Sequence, residues 1–156
     1  MNDNNNVLIE YQAHRLREII DFIVTCCNDK RTYTKEKFGI PYAEITCLLL
    51  FKGERYLTVK TLANKMEVAK SRITKIIKGL MAKGLVEKIE DPRDNRVKLL
   101  SLTSAGKKKI EEIEKFRLEI HKKLVENISP SDRSNVFFYL EKLLESMQIV
   151  KKELVK

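Results

Sequence analysis

The chain has 156 residues, and its 31 Lys and Arg against 22 Asp and Glu give a formal net charge of +9 at pH 7. This length allows one domain with a real core, or one compact unit plus an extension. Three cysteines are too few for a disulfide framework, and the longest apolar run, CLLLF, is far too short to span a bilayer. We therefore expect a soluble, cytoplasmic protein with no membrane partner.

The positive charge is concentrated in the middle of the chain. Residues 52–109 hold 16 basic and 6 acidic side chains, whereas the remaining residues hold 15 and 16. A local positive field of this kind indicates a polyanionic partner, either a nucleic acid or an anionic membrane surface, and of these two we expect a nucleic acid.

The first third of the chain predicts two helices. Apolar residues recur at helical spacing between Val7 and Cys27. The polar segment NDKRTYTKEKFGIP, residues 28–41, is interpreted as a connector because it ends in Gly39 and Pro41. YAEITCLLLFKG then predicts a mostly buried helix that stops near Gly53.

The middle third predicts a helix pair followed by a hairpin. Thr58 is placed to cap a short helix that runs through Met66, and EVA leaves room only for a tight turn. A further helix spans about residues 70–83 and ends at Gly84, which readily adopts the left-handed conformation of a helix end. LVEKIE and VKLLSLT then read as two strands with a long polar loop between them.

The last third predicts two long helices. Thr103 or Ser104 caps the first, which runs from about residue 105 to 127. Ser129 and Pro130 mark the start of the second, with Asp132 completing a near capping box. Its apolar residues step by alternating four and three, which is a heptad pattern that usually requires a partner helix. They are Val136, Leu140, Leu143, Met147, Val150 and Leu154.

Two helices joined by a three-residue turn match the helix-turn-helix plan, in which the second helix enters the DNA major groove. At about 100° per residue, the apolar stripe of the second helix lies opposite a face of hydroxyls and cations that contains no acid. Such side chains bind phosphates or base edges. The candidate DNA-binding residues are Lys70, Ser71, Arg72, Thr74, Lys75 and Lys78. The alternative is an ordinary solvated, Lys-rich helix.

A hairpin directly after such a helix has the position of a wing. Its tip, EDPRDNR, carries more charge than a turn requires. An arginine there can enter a narrow minor groove, and a neighbouring carboxylate can hold its guanidinium in place. Arg93, Asp94 and Arg96 are therefore the candidate wing residues. The alternative is a local surface ion pair of little consequence.

The segments DPRDNRVKLLSLTSAG and VAKSRITKIIKGLMAKGLVEK closely resemble the wing and the recognition helix of the MarR family of regulators. The resemblance implies a mainly α fold with a small β-hairpin wing, an α+β winged helix-turn-helix joined to a helical dimerisation region. It implies that Arg96 enters the minor groove and that Asp94 steadies it. One departure is Ala69, which opens the recognition helix where the family often has an acid or a hydroxyl, and leaves Ser71 as a substitute cap.

The resemblance also implies an obligate homodimer, and the heptad pattern independently indicates a missing partner. We expect residues 1–40 to belong to the dimerisation region, 41–104 to form the DNA-binding domain, and 105–156 to complete the dimerisation region. Dimerisation is assigned to Leu140, Leu143, Met147 and Val150. The alternative is that this heptad pattern packs only within one chain.

The expected function is sequence-specific binding of double-stranded DNA to regulate transcription, as a homodimer on a pseudo-palindromic operator and with a repressor as the first expectation. The resemblance also implies a small aromatic or amphipathic ligand, for which Phe22, Tyr33, Tyr42, Phe51 and Phe116 are possible contacts. Two alternatives stay open: a winged-helix interaction module without sequence specificity, and a regulator that senses oxidants through a thiol. Cys26, Cys27 and Cys47 are more simply explained as buried, small apolar residues.

No arrangement of residues predicts an enzyme. His14 and His121 are interpreted as ordinary exposed or core histidines and not as metal ligands, and no serine or cysteine has an obvious base near it in the sequence. We expect neither a metal nor a cofactor.

Overall fold

The computed structural model describes residues 2–91 and 94–155, and it describes side chains for residues 5–89 and 99–155. Within these ranges the chain forms six helices and one antiparallel hairpin. The helices and strands are α1 (Asn2–Phe38), α2 (Tyr42–Leu49), α3 (Val59–Met66), α4 (Lys70–Ala82), β1 (Val86–Asp91), β2 (Asp94–Leu102), α5 (Ser104–Glu126) and α6 (Pro130–Leu154). The expected fold class, mainly α with a small β-hairpin, is confirmed. The chain divides into two compact units, the first ending at Ile113 and the second beginning at Glu114.

The first helix is much longer than the sequence pattern predicted. It continues through the segment interpreted as a connector and ends only at Phe38, directly before Gly39 and Pro41. That segment is polar but contains no helix-breaking residue until Gly39, so its Lys, Arg and Glu residues continue a solvent-exposed helix. The interpretation of residues 28–41 as a connector was wrong. The regular spacing of apolar residues ends in this segment, but the helix itself continues to Phe38.

The core of the first unit lies between α2, α3, α4 and the hairpin. The four residues of the predicted stripe on α4, which are Ile73, Ile76, Ile77 and Leu80, are all buried. They pack with the other core residues, which are Ile40, Ile45, Cys47, Leu48, Phe51, Leu57, Leu62, Ala63, Leu85, Val86, Leu100, Ile110 and Ile113. Because this core covers one side of α4 only, the opposite side of that helix faces solvent.

Short local bonds define the helix pair α3–α4. The Thr58 hydroxyl accepts a hydrogen bond from the Thr61 amide at 3.0 Å, which is the predicted N-cap of α3. The turn between the helices depends on Glu67, which has φ 54° and ψ 42°. Gly84, with φ +66°, follows α4 as predicted, although the helix itself ends one residue earlier than expected, at Ala82.

The left-handed conformation of Glu67 predicts that glycine is more favourable than alanine at this position. An L-residue in this conformation places its Cβ close to the backbone, whereas glycine has no such penalty. We expect Glu67→Gly to be more stable to urea than Glu67→Ala by about 0.5–1 kcal/mol, after allowance for the greater freedom of glycine in the unfolded chain. Both variants lose the same charge, so equal stabilities would show that the turn relaxes to another conformation.

The hairpin is paired further toward its tip than expected. β1 and β2 pair from Val86–Leu102 to Glu90–Lys98, and the register then shifts so that Asp91 pairs with Asp94. The loop predicted for the whole of residues 91–96 is therefore too long. Leu57, just before α3, adds an isolated bridge to Leu100 through bonds of 2.9 and 2.8 Å.

The base of the hairpin is held by one threonine. The Thr103 hydroxyl donates a 2.6 Å hydrogen bond to the Gly84 carbonyl and accepts a 3.0 Å bond from the Gly106 amide. It thus caps α5, as one of the two predicted alternatives, and also joins the start of α5 to the end of α4. This contact connects the two ends of the hairpin to one another.

In the second unit, α6 begins at Pro130, but its predicted capping box does not form. The Ser129 hydroxyl donates to the Asp132 carboxylate at 2.5 Å and makes no bond to a backbone amide. The two side chains bond to each other because both lie in the first turn. None of the described residues of α6 is buried. No helix in the described part of the chain is long and apolar enough to cross a bilayer.

Candidate nucleic-acid interface

The outward face of α4 carries all six candidate residues of the predicted recognition helix. Each of them is exposed, and none belongs to the core: Lys70, Ser71, Arg72, Thr74, Lys75 and Lys78. The Thr74 hydroxyl donates to the Lys70 carbonyl at 2.9 Å, so it remains able to accept a bond from outside. The apolar side of the helix is buried, which fixes this polar face toward solvent.

The cations of α4 have no acidic partner among the described residues, whereas several cations on other helices have one. On α1, α5 and α6, some surface cations pair with a glutamate three residues away, as in Arg15–Glu18, Lys122–Glu119 and Lys142–Glu145. No acid occurs within α4. Its four exposed cations form no ion pair with any acidic side chain that the structure describes. The face therefore keeps its full positive charge for an external anion.

The start of α4 also lacks a side-chain cap. Ala69 occupies the N-cap position with φ −61° and ψ 145°, and its methyl group accepts no hydrogen bond. The first amides of a helix have no partner within the helix, so they remain available to an anion.

The wing residues lie at the edge of what the structure describes. Arg93 is outside the described residues. The backbone of Asp94 and Arg96 belongs to β2, but their side chains are outside the described range. Their contact with DNA therefore stays a prediction from the sequence.

The predicted dimerisation residues lie on α6. Leu140, Met147 and Val150 are about half exposed in the single chain, at 49, 50 and 50 %, and Leu143 is partly buried. The N-terminal helix also exposes large apolar side chains, including Phe22 at 71 % and Val7 at 65 %. Exposed apolar surface on this scale is typical of an interaction surface.

The three cysteines divide into two kinds. Cys47 is fully buried in α2, as expected of a small apolar residue, whereas Cys26 and Cys27 are exposed on α1 and so do not fit that interpretation. Burial, and then the nearby charge of Glu44, raises the pKa of the Cys47 thiol to about 12. A thiol that does not ionise near neutral pH is a poor nucleophile. A thiol sensor in this chain would have to use Cys26 or Cys27.

This difference predicts that Cys47 resists alkylation. With a pKa of about 12, roughly one Cys47 thiol in ten thousand is ionised near pH 8. We expect iodoacetamide to leave Cys47 unmodified in the folded protein and to modify it in denaturing urea, as measured by peptide mass spectrometry. Similar labelling rates in the two conditions would show that α2 opens readily in the native state.

The proposed ligand contacts do not form one group within the first unit. Phe51 is a core residue at 1 % exposure, while Phe22 and Tyr33 are exposed at 71 and 59 %. The Tyr42 ring instead lies against the Arg31 guanidinium, at 5.2 Å. Among the described residues, no group of three His, Cys, Asp or Glu is arranged to hold a metal ion.

Glu44 was not predicted from the sequence; it is 9 % exposed and lies against the C-terminal part of α4, at Gly79. Two signals in the sequence could have found this contact. One is an acid inside the apolar run YAEITCLLLF, and the other is Gly79 inside an otherwise regular helix.

Known proteins share this architecture. Residues 38–96 match the model of the MarR family. The chain is 26 % identical over 125 residues to the uncharacterised HTH-type transcriptional regulator YdgJ of Bacillus subtilis, covering 80 % of this chain and 70 % of that protein. A solved MarR family protein from Bacillus stearothermophilus superposes with a TM-score of 0.76 at 24 % identity, covering 89 % and 97 % of the two chains. Over its helix-turn-helix and part of its hairpin, this chain is therefore similar to the MarR family.

The MarR family match extends from the end of α1 into β2, so it contains the whole helix-turn-helix and every candidate residue on α4. A second relative of this chain is the HTH-type transcriptional repressor MdtR of Bacillus subtilis. The two are 28 % identical over 121 residues, which is 78 % of each chain. The resemblance found in the sequence is thus confirmed.

Proposed function

We propose that the protein is a transcriptional regulator that binds double-stranded DNA in a sequence-specific manner as a homodimer. The observation that carries this proposal is the exposed face of α4, where four cations and two hydroxyls occur without an acid. A solvated helix face normally mixes charges of both signs, as α5 and α6 do here. The similarity to the MarR family and to HTH-type transcriptional regulators supports the same conclusion.

In this proposal α4 lies in the major groove. Its lysines and Arg72 bind phosphates or guanine edges, and Ser71 and Thr74 bind either phosphates or bases. The wing extends beyond the helix pair, and Arg96 enters the adjacent minor groove, where a narrow groove has the most negative potential. Asp94 holds the guanidinium of Arg96 in position through a charge-assisted hydrogen bond.

The dimer places two such surfaces on one duplex. The exposed apolar residues of α6, together with those of α1, pack against a second copy of the chain. A two-fold dimer binds a pseudo-palindrome whose half-sites lie about one helical turn, or roughly 10 bp, apart. Bound at a promoter in the cytoplasm, the dimer excludes RNA polymerase and so represses transcription. The relative MdtR is named a transcriptional repressor, which supports this direction of regulation. A small ligand that favours another spacing of the two α4 helices releases the DNA.

The test is a series of binding measurements with DNA at different salt concentrations. The operator would first be selected from random duplex DNA, and its affinity compared with that of a scrambled duplex of equal length. We expect log affinity to fall linearly with log salt concentration, with a slope set by the number of neutralised phosphates. We also expect a clear preference for the selected sequence at each salt concentration.

The same experiment separates the regulator from a winged-helix module without sequence specificity. Such a module would show the salt dependence but no preference between the two duplexes. If neither duplex bound at low salt, the α4 face would have no role toward DNA and the proposal would be wrong.

A further inference from the structure

A buried carboxylate lies between α2 and α4. Glu44 lies in the first turn of α2 and is 9 % exposed. A Cβ atom added to Gly79 would lie only 2.2 Å from the Oε1 atom of Glu44. Any residue other than glycine at position 79 would collide with this carboxylate unless one of the two moved. The glycine inside α4 is therefore explained by the close approach of an acid from a different helix.

The other oxygen of the same carboxylate pairs with the end of α4. The Lys83 ammonium lies 2.9 Å from Glu44 Oε2 and 3.4 Å from the Gly79 carbonyl. The direction of the Lys83–Glu44 contact does not meet hydrogen-bond geometry, so Oε2 accepts no directed bond from the residues that the structure describes. The pair is thus an ion pair by distance, and Lys83 is the C-cap residue of α4.

The Glu44–Lys83 ion pair is not explained by its contribution to the stability of the fold alone. Removing charges from water is costly, and well-packed apolar residues in the same place often stabilise a protein as much or more. The buried stripe of Ile73, Ile76, Ile77 and Leu80 fixes which side of α4 faces the core. The carboxylate of Glu44 adds a narrower restraint, because its Oε1 lies close against Gly79 while its Oε2 lies 2.9 Å from the Lys83 ammonium. A rotation or a sliding movement of α4 past α2 would bring this carboxylate into collision with α4 or would separate the ion pair.

We propose that Glu44 is a positioning residue for DNA recognition: seated against Gly79 and paired with Lys83, it fixes the rotation and the axial position of α4 relative to α2. This role rests on the proposed function. It determines which of the exposed side chains of α4 point toward the floor of the groove, and hence which bases are distinguished. Glu44 itself is buried and does not touch DNA.

The contact is tested by a double-mutant cycle on urea unfolding. Alanine normally stabilises a helix interior relative to glycine. We expect Gly79→Ala to lower the urea midpoint in the wild-type background, because the new methyl group displaces Glu44 from Lys83. In the Glu44→Ala background, the same substitution is expected to raise the midpoint. An equal shift in both backgrounds would show that the contact is not made, and the proposal would fail.

The positioning role is tested by the ratio of affinities for the selected and the scrambled duplex. A purely structural role lowers the urea midpoint but leaves this ratio unchanged in the folded protein. We expect Glu44→Ala and Gly79→Ala each to reduce the ratio by about tenfold, as for the loss of one base contact. The salt dependence should stay unchanged, because no cation of the α4 face is removed. Glu44→Gln keeps the shape against Gly79 but loses the charge that pairs with Lys83, so its affinity ratio should fall between those of the wild type and of Glu44→Ala.

The outcomes separate this inference from the proposed function. Gly79→Ala could lower the urea midpoint in the wild-type background and raise it in the Glu44→Ala background, while the affinity ratio stays unchanged in both variants. The contact would then only pack the two helices together, and the positioning role would be overturned. A wild-type protein without any preference between the duplexes would overturn the proposed function and the positioning role with it. The unfolding cycle would still report whether Glu44 and Gly79 touch.

Discussion

Replacing Leu140 with Lys is expected to produce monomers and to weaken operator binding by about 100-fold or more, because two linked half-site contacts become independent. Leu140 lies in the heptad pattern of α6 and is 49 % exposed in the single chain, so a lysine there is tolerated by the folded monomer. In the dimer the same lysine would be buried without a partner, which costs several kcal/mol, on the order of 2–5. Analytical ultracentrifugation would measure the change in mass.

Glu141→Lys is the matched control for this variant. It places the same side chain one residue further along α6, away from the heptad pattern and in an exposed position. It also changes the net charge by more than Leu140→Lys does, so a non-specific charge effect would be larger in the control. We expect Glu141→Lys to remain dimeric. A dimer that persists in Leu140→Lys would show that the heptad pattern of α6 is not the interface.

The elements that could be predicted from the sequence are those with strong local signals. The buried stripe of α4, the Thr58 cap and the left-handed Gly84 that follows α4 could be predicted from helical spacing and from the properties of single residues. These signals act within a few residues of each other, so they do not depend on the rest of the fold. They also place the exposed face of α4, which is the main part of the candidate site.

The features that could not be predicted from the sequence are of two kinds. Some depend on contacts between residues that are far apart in the sequence, and one is a helical segment that has no regular apolar stripe. The C-terminal part of α1 has no regular apolar stripe, and its helix follows only from the lack of a breaker before Gly39. The pairing at the tip of the hairpin depends on a register shift that strand composition does not reveal. The Glu44–Gly79 contact joins residues far apart in sequence, so neither residue predicts it alone.

The wing prediction depends on backbone geometry that the structure does describe. β1 and β2 remain paired as far as Asp91 and Asp94, and the backbone of Arg96 lies within β2. Thr103 joins the base of the hairpin to the end of α4 through Gly84. A side chain whose backbone is already ordered loses less conformational freedom on binding, so its contact contributes more of its energy to affinity.

Arg96→Ala is therefore expected to weaken binding to the selected operator by about 1–3 kcal/mol, with a smaller effect on scrambled DNA. Arg96→Lys separates two roles of the side chain. A lysine keeps the positive charge but lacks the planar fork of the guanidinium, so it should preserve the salt dependence while losing much of the preference. If Arg96→Lys bound both duplexes as the wild type does, Arg96 would contribute only charge, and its assignment to a minor groove would be wrong.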